Sequence, residues 1–303
     1  MLTTKDIIVW HDHGYQYTES FYPVQLLAFS HRGEPGSRMC NLKAVSFIPL
    51  LVRLAIELCV VGKQFGGGLL FSEFGRNNVL QNLISSDWTE LQNREHRETV
   101  DSKCSQVLIQ LRKMGLVKKE YIQTYLGSIL CKYDNYFADK RFRFLIELDP
   151  SSLVQDDGLY WLPLYLSASR SSMLGFRSVF EAGIKYFPNK KGISLLFQTS
   201  KRYNCTPFHF ACRRFGYEEV MKIVEDTLIR YSDTPINTTE ALIMAVMNKN
   251  IHLDCVYFLL RRQPDILQKL LSSASITTMA AFNSNNNGIS PKKRKRKEQA
   301  EGL

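Results

Sequence analysis

The chain has 303 residues, 45% hydrophobic and 22% charged, with a formal net charge of +10. This is an ordinary globular composition with ample length for a core, and it excludes a collagen-like, mucin-like or wholly disordered chain. Of the charge, the run Lys292 to Lys297 supplies six cations; Glu298 and Glu301 leave the last twenty residues at +4, so the rest of the chain carries +6. Such a body permits acidic partners without demanding them.

Residues 1–20 read as an N-terminal flanking segment. The opening Met1-Leu2-Thr3-Thr4-Lys5-Asp6 lacks the basic and apolar regions of a secretory signal. His11 and His13 flank Asp12 and would share one face of a strand, but two histidines make a poor metal site, and a solvated segment is expected. Tyr22-Pro23-Val24-Gln25-Leu26-Leu27-Ala28 fits a helix start. Residues 44–61 are the most apolar stretch, yet Pro49, Arg53 and Glu57 interrupt them, so a buried helix is predicted and no membrane span. Gly66-Gly67-Gly68 lacks the Lys-Ser/Thr of a phosphate loop and reads as a turn between helices.

Further helices are predicted from 77–84, after Gly75, and as a pair over 119–148. Leu162-Pro163-Leu164-Tyr165-Leu166-Ser167-Ala168 and Thr206-Pro207-Phe208-His209-Phe210-Ala211-Cys212 share one pattern at a spacing of 44 residues. Thr206 is suited to cap a helix, and Pro207 to occupy its first position, where no amide bond is lost. Phe208 and Ala211 then face inward together, and Glu218-Glu219 opens a second helix with Val220, Ile223 and Val224 on one face. Glu240-Ala241-Leu242-Ile243-Met244-Ala245 follows 34 residues after Thr206, with its partner helix over 253–260 and a stop at Pro264. Helix starts are expected near Pro163, Pro207 and Ala241, with negligible strand. Leu242, Ala245, Val256, Leu259 and Leu260 are expected in the core.

Thr206 to Cys212 resembles the ankyrin signature T-P-L-H-x-A, with Phe208 in place of leucine. Leu162, Pro163 and Leu164, and Leu242 and Ala245, are its degenerate copies. The resemblance implies an all-α fold: an ankyrin-type helical repeat solenoid with short hairpin or turn connections, about six units over 21–275 and clearest over 119–271. Gly216, and Gly175 in the earlier unit, match the glycine that closes the turn between the two helices; Asn250 stands there in the last unit, and the Asp-Gly hairpin start survives at Asp157-Gly158. The resemblance gives His209 the role of bonding turn backbone groups. It also implies a concave groove lined by Arg170, Lys201, Arg202, Tyr203, Arg213, Arg214 and Lys249. An ordinary solvated face and a groove for an acidic protein partner both fit those residues.

Catalytic signatures are missing: no G-x-S-x-G, H-E-x-x-H or kinase motif occurs, so a non-enzymatic chain without cofactor or metal is expected. Cys205, His209 and Cys212 supply three zinc-type ligands where a structural site wants four. The seven cysteines are odd in number, widely spread and without a CxxC, and most, including Cys59, lie in apolar surroundings. Reduced thiols in an intracellular protein are expected.

Residues 276–303 are polar and low in complexity, and a disordered tail is predicted. Pro291, Lys292, Lys293, Arg294, Lys295, Arg296 and Lys297 resemble a single-cluster nuclear import signal for an import adaptor, and Ser290 before Pro291 resembles a proline-directed phosphorylation site. Minor-groove DNA contact and simple solubilisation are the competing readings of the same cations. The sequence thus points to a nuclear protein-binding scaffold. The alternatives are a chromatin- or nucleic-acid-associated factor for the function, and the cytoplasm for the location.

Overall fold

Local sequence chemistry explains where the helices begin. Asn78 and Gln81 form a reciprocal cap: the Asn78 amide donates to Gln81 Oε1 at 2.8 Å and the Gln81 amide to Asn78 Oδ1 at 2.9 Å. Two orphan donors at the start of a helix are thereby satisfied. Asn93, Ser172 and Thr206 each cap their helix by accepting from the amide three residues on, at 2.8, 3.2 and 3.0 Å. Pro163 and Pro207 occupy the first turns predicted for them.

The structure, a computed structural model, describes residues 5–10, 16–21, 23–31, 38–59, 61, 63–70, 78–85, 93–122, 126–131, 136–155, 161–187, 192–199, 205–233, 238–247, 253–262 and 268. Contacts divide the chain into two units, 1–251 and 252–303. The first unit opens with two antiparallel ribbons, β1 (Lys5–Trp10) with β2 (Gln16–Phe21) and β3 (Phe29–His31) with β4 (Arg38–Cys40). The β-branched run Ile7-Ile8-Val9 favours this geometry, so the flanking segment carries strand that the helix-only expectation lacked. His11, Asp12 and His13 lie outside the described residues.

Helices then come in pairs. α1 (Pro23–Ala28) packs on α2 (Ile48–Glu57), α3 (Val79–Ser85) on α4 (Arg94–Lys113), and α5 (Leu126–Leu130) on α6 (Asp139–Leu148). α7 (Pro163–Arg170) packs on α8 (Met173–Tyr186), and α9 (Pro207–Phe215) on α10 (Tyr217–Arg230). The first members of the pairs also contact one another in order, α1 to α3 to α5 to α7 to α9, as do the second members α2, α4, α6 and α8. α11 (Thr238–Met247) packs on a 3-10 turn at Ser194–Leu196. It begins three residues before the expected Ala241. In the second unit, α12 (Leu253–Arg262) is described.

The core of the α9–α10 pair matches its prediction. Phe208, Ala211, Val220 and Val224 are all buried, with the Phe208 ring 5.7 Å from that of Phe197. Leu242, Ala245 and Leu259 are buried as well, but Val256 and Leu260 are half-exposed.

Several expectations need correcting. The helix within 44–61 is only half-buried: Ile48, Val52 and Ala55 face inward, while Phe47, Leu50, Leu54 and Leu58 are exposed. Cys59 is exposed too, at φ 54° just beyond the end of α2, whereas Cys40, Cys104 and Cys131 are buried. Gly175 is not a turn glycine. It lies in the first turn of α8, where a Cβ would come 2.9 Å from the Phe137 ring, so close packing explains it. Gly216 does close its turn, at φ 90°. Gly67, at φ 62°, admits the close approach of Val52, which a Cβ would meet at 2.8 Å. Asp157, Gly158 and Asn250 lie outside the described residues.

Candidate functional site

α7 packs on α9, and aromatic side chains of the two helices meet. Trp161 precedes α7, and Tyr165 follows it by four residues, so the two rings meet edge to face at 4.8 Å. Phe210 of α9 packs on Tyr165 at 5.0 Å. Tyr165 is buried and Phe210 half-buried.

Two arginines are held at these helices. Arg170, at the end of α7, is exposed, and its guanidinium lies back over the Trp161 ring at 5.4 Å. Arg214, at the end of α9, donates from Nη1 to the Ser169 carbonyl at 2.7 Å, and its guanidinium lies 5.4 Å from the Phe215 ring. That bond satisfies one of the orphan carbonyls in the last turn of α7. Arg213 is exposed beside it. Lys201, Arg202, Tyr203 and Lys249 lie outside the described residues, as do Ser290 and the basic run Pro291 to Lys297. Of the seven groove residues, three are therefore placed, and all three are exposed arginines.

The signature residues serve the helices. Leu162 precedes α7 in extended backbone, with Pro163 and Leu164 buried behind it. Thr206 and Pro207 start α9. His209 is half-buried with its ring edge-on to Phe210 at 6.2 Å. Among the described residues no group of three or more His, Cys, Asp or Glu is placed to hold a metal ion, and Cys205, His209 and Cys212 are not gathered into one. Burial pushes the Cys212 thiol up to about 12. Among the described residues no helix is long and apolar enough to cross a membrane.

One charged centre escaped the sequence reading. Asp101 in α4 and Arg141 in α6 are 3% and 4% exposed and form an ion pair at 3.0 Å. The Asp101 carboxylate also accepts from the Lys140 and Arg141 amides at 3.0 and 3.1 Å, capping α6 from another helix. Arg141 Nη1 donates to the Ile84 carbonyl at 2.9 Å, at the end of α3. Burial, the Asp101 charge and a hydrogen bond to Asp101 raise the Tyr136 phenol above its usual range. The Asp101 and Arg141 side chains are buried and bonded to their neighbours, so the pair joins α3, α4 and α6. A separation of forty residues within unremarkable polar patterns left no local signal of it.

In comparisons with family models, curated proteins and solved structures, the chain matches none.

Proposed function

We propose that this chain is a non-enzymatic protein-binding scaffold, a stack of ankyrin-like helix pairs that receives an acidic partner segment on the face of α7 and α9. The observation that carries the reading is the ordered packing of first helices on first helices and second helices on second helices. No single pair of that length can bury its apolar face alone, so stacking is what stabilises it, and a stack presents a long continuous surface. The Thr206 cap, the Pro207 start and the Gly216 turn support the ankyrin likeness locally. The exposed arginines at the ends of α7 and α9 support the acidic partner, since guanidinium forks match carboxylates. The tail from Pro291 to Lys297 is proposed as the signal that an import adaptor reads, placing the scaffold in the nucleus.

Affinity capture from nuclear extract, with the wild-type chain and with Arg213→Glu/Arg214→Glu, tests the scaffold reading. Partners should be lost from the variant while its thermal melt stays nearly unchanged. Capture that is unaffected places the partner elsewhere, and capture dominated by DNA with a steep salt slope points to phosphate contacts instead. A fluorescent fusion should be nuclear, and Lys293→Ala/Arg294→Ala should make it cytoplasmic. A double variant that stays nuclear removes the tail from the explanation.

A further inference from the structure

Two cysteine sulfurs from distant parts of the chain lie against each other in the first unit. Cys40 ends β4 and Cys104 lies within α4, 64 residues on, and their Sγ atoms are 3.6 Å apart. Both side chains are buried, Cys40 at 5% exposure and Cys104 at 0%. Other bonds fix the backbone beside them. The Lys103 ammonium donates to the Leu42 carbonyl at 2.8 Å, which docks the chain just after β4 on α4. The Asn41 amide donates to the Ala28 carbonyl at 3.2 Å, and Asn41 Nδ2 donates to the Leu26 carbonyl at 3.2 Å, which ties the same stretch to α1. The sulfurs therefore meet across a joint that is already assembled. A disulfide holds its sulfurs at about 2.05 Å, so closure asks for an approach of about 1.5 Å.

We infer that Cys40 and Cys104 are an oxidisable dithiol, a modification site that a small hydroperoxide converts to a disulfide fastening the β3–β4 ribbon to α4. The site is independent of the protein-binding role proposed above. Burial selects the oxidant class, because a bulky disulfide cannot reach either sulfur in the folded chain. Cys40 reacts first, since it keeps what little exposure the pair has. Its sulfur, as thiolate, attacks one oxygen of hydrogen peroxide; the O–O bond breaks, the other oxygen leaves as water, and Cys40 becomes a sulfenic acid. The Cys104 sulfur then attacks Cys40 Sγ. The S–S bond forms, the S–O bond breaks, and the hydroxyl leaves as water with the Cys104 proton. Two thiols and one peroxide thus give one disulfide and two waters. The bond closes a loop spanning 64 residues, and a cross-link over so long a loop removes much of the freedom of the unfolded chain. Local opening of the ribbon away from α4 is suppressed in the oxidised form.

The test uses the full chain, reduced, freed of reductant and treated with hydrogen peroxide under native conditions. Remaining thiols are blocked with N-ethylmaleimide, and tryptic peptides are mapped without reduction. Residues 39–43 and 104–112 are the tryptic peptides that carry the two cysteines, and they should appear as one linked species about 2 Da lighter than their sum. The oxidised chain should melt about 5–15 °C higher than the reduced one, and dithiothreitol should reverse the shift. Cys59→Ser, which removes an exposed thiol, should leave both results unchanged. In Cys104→Ala the sulfenic acid should persist on Cys40 and be captured by dimedone, while in Cys40→Ala no label should reach Cys104. Label on Cys104 instead overturns the assigned order of attack. The wild-type map decides the pairing even if an alanine variant does not fold. A chain that keeps Cys40 and Cys104 as thiols while Cys59 is oxidised shows the contact to be core packing alone and overturns the proposal. Linkage of either cysteine to another partner, or linkage that appears only after denaturation, overturns it as well.

Discussion

Removing Arg141 should cost this protein more than removing any exposed arginine. In Arg141→Met the Asp101 carboxylate keeps the two α6 amides but loses its counter-charge, and the Ile84 carbonyl at the end of α3 loses its donor. Both side chains are almost wholly buried, so water cannot replace what is lost. Breaking a buried ion pair from one side costs about 3–5 kcal/mol, or about 10 °C in Tm at about 2–4 °C per kcal/mol for a large domain. Asp101→Leu should cost as much, through the stranded guanidinium and two uncapped amides. The double variant carries no buried charge, so its loss should fall short of the sum of the singles by about 3 kcal/mol. Urea unfolding followed by circular dichroism measures all three, and amide exchange at Lys140 and Arg141 reports the cap directly. A loss below about 1 kcal/mol for either single variant, or losses that simply add, would refute the claim that this pair clamps α3, α4 and α6.

Three further outcomes are expected. Burial alone would raise the Asp149 carboxyl, but the Lys119 ammonium at 2.8 Å and hydrogen bonds from Ser151 outweigh it and hold the group below its usual range. Its contribution to stability is therefore present above the unfolded-state value and is lost as pH falls through the lower folded value; Lys119→Met should flatten that acid limb of the unfolding curve, and an unchanged limb would show the pair to be inert. Thiol titration with a bulky disulfide reagent should modify the exposed Cys59 in the native chain, while the buried Cys131 reacts only after denaturation; early modification of Cys131 would contradict its burial. Thr206→Ala should lower stability by about 1 kcal/mol through loss of the α9 cap, and Phe208→Ala by about 3–5 kcal/mol through a cavity, both read by urea unfolding; equal losses would mean that Phe208 is not in the core.

The legible part of this protein is local. A threonine followed by proline starts a helix because the hydroxyl reaches the amide three residues on and the ring costs no hydrogen bond, and both events occur within one turn. The same is true of Gly216, whose φ of 90° is a property of the turn itself. Apolar spacing likewise placed Phe208, Ala211, Val220 and Val224 inside. What the tertiary structure decided is which distant groups meet. Asp101 and Arg141 are forty residues apart, and Arg214 and Ser169 forty-five; nothing in either neighbourhood marks the other. Gly175 resembles a turn glycine in sequence and is a packing contact in space. Cys59 sits in an apolar run yet faces solvent, because the helix ends just before it and its φ of 54° takes it off the helical path. Periodicity reports which face of a helix is apolar. Burial of a charge, or exposure of a leucine or a thiol, depends on what packs against that face, and the packing partner comes from elsewhere in the chain.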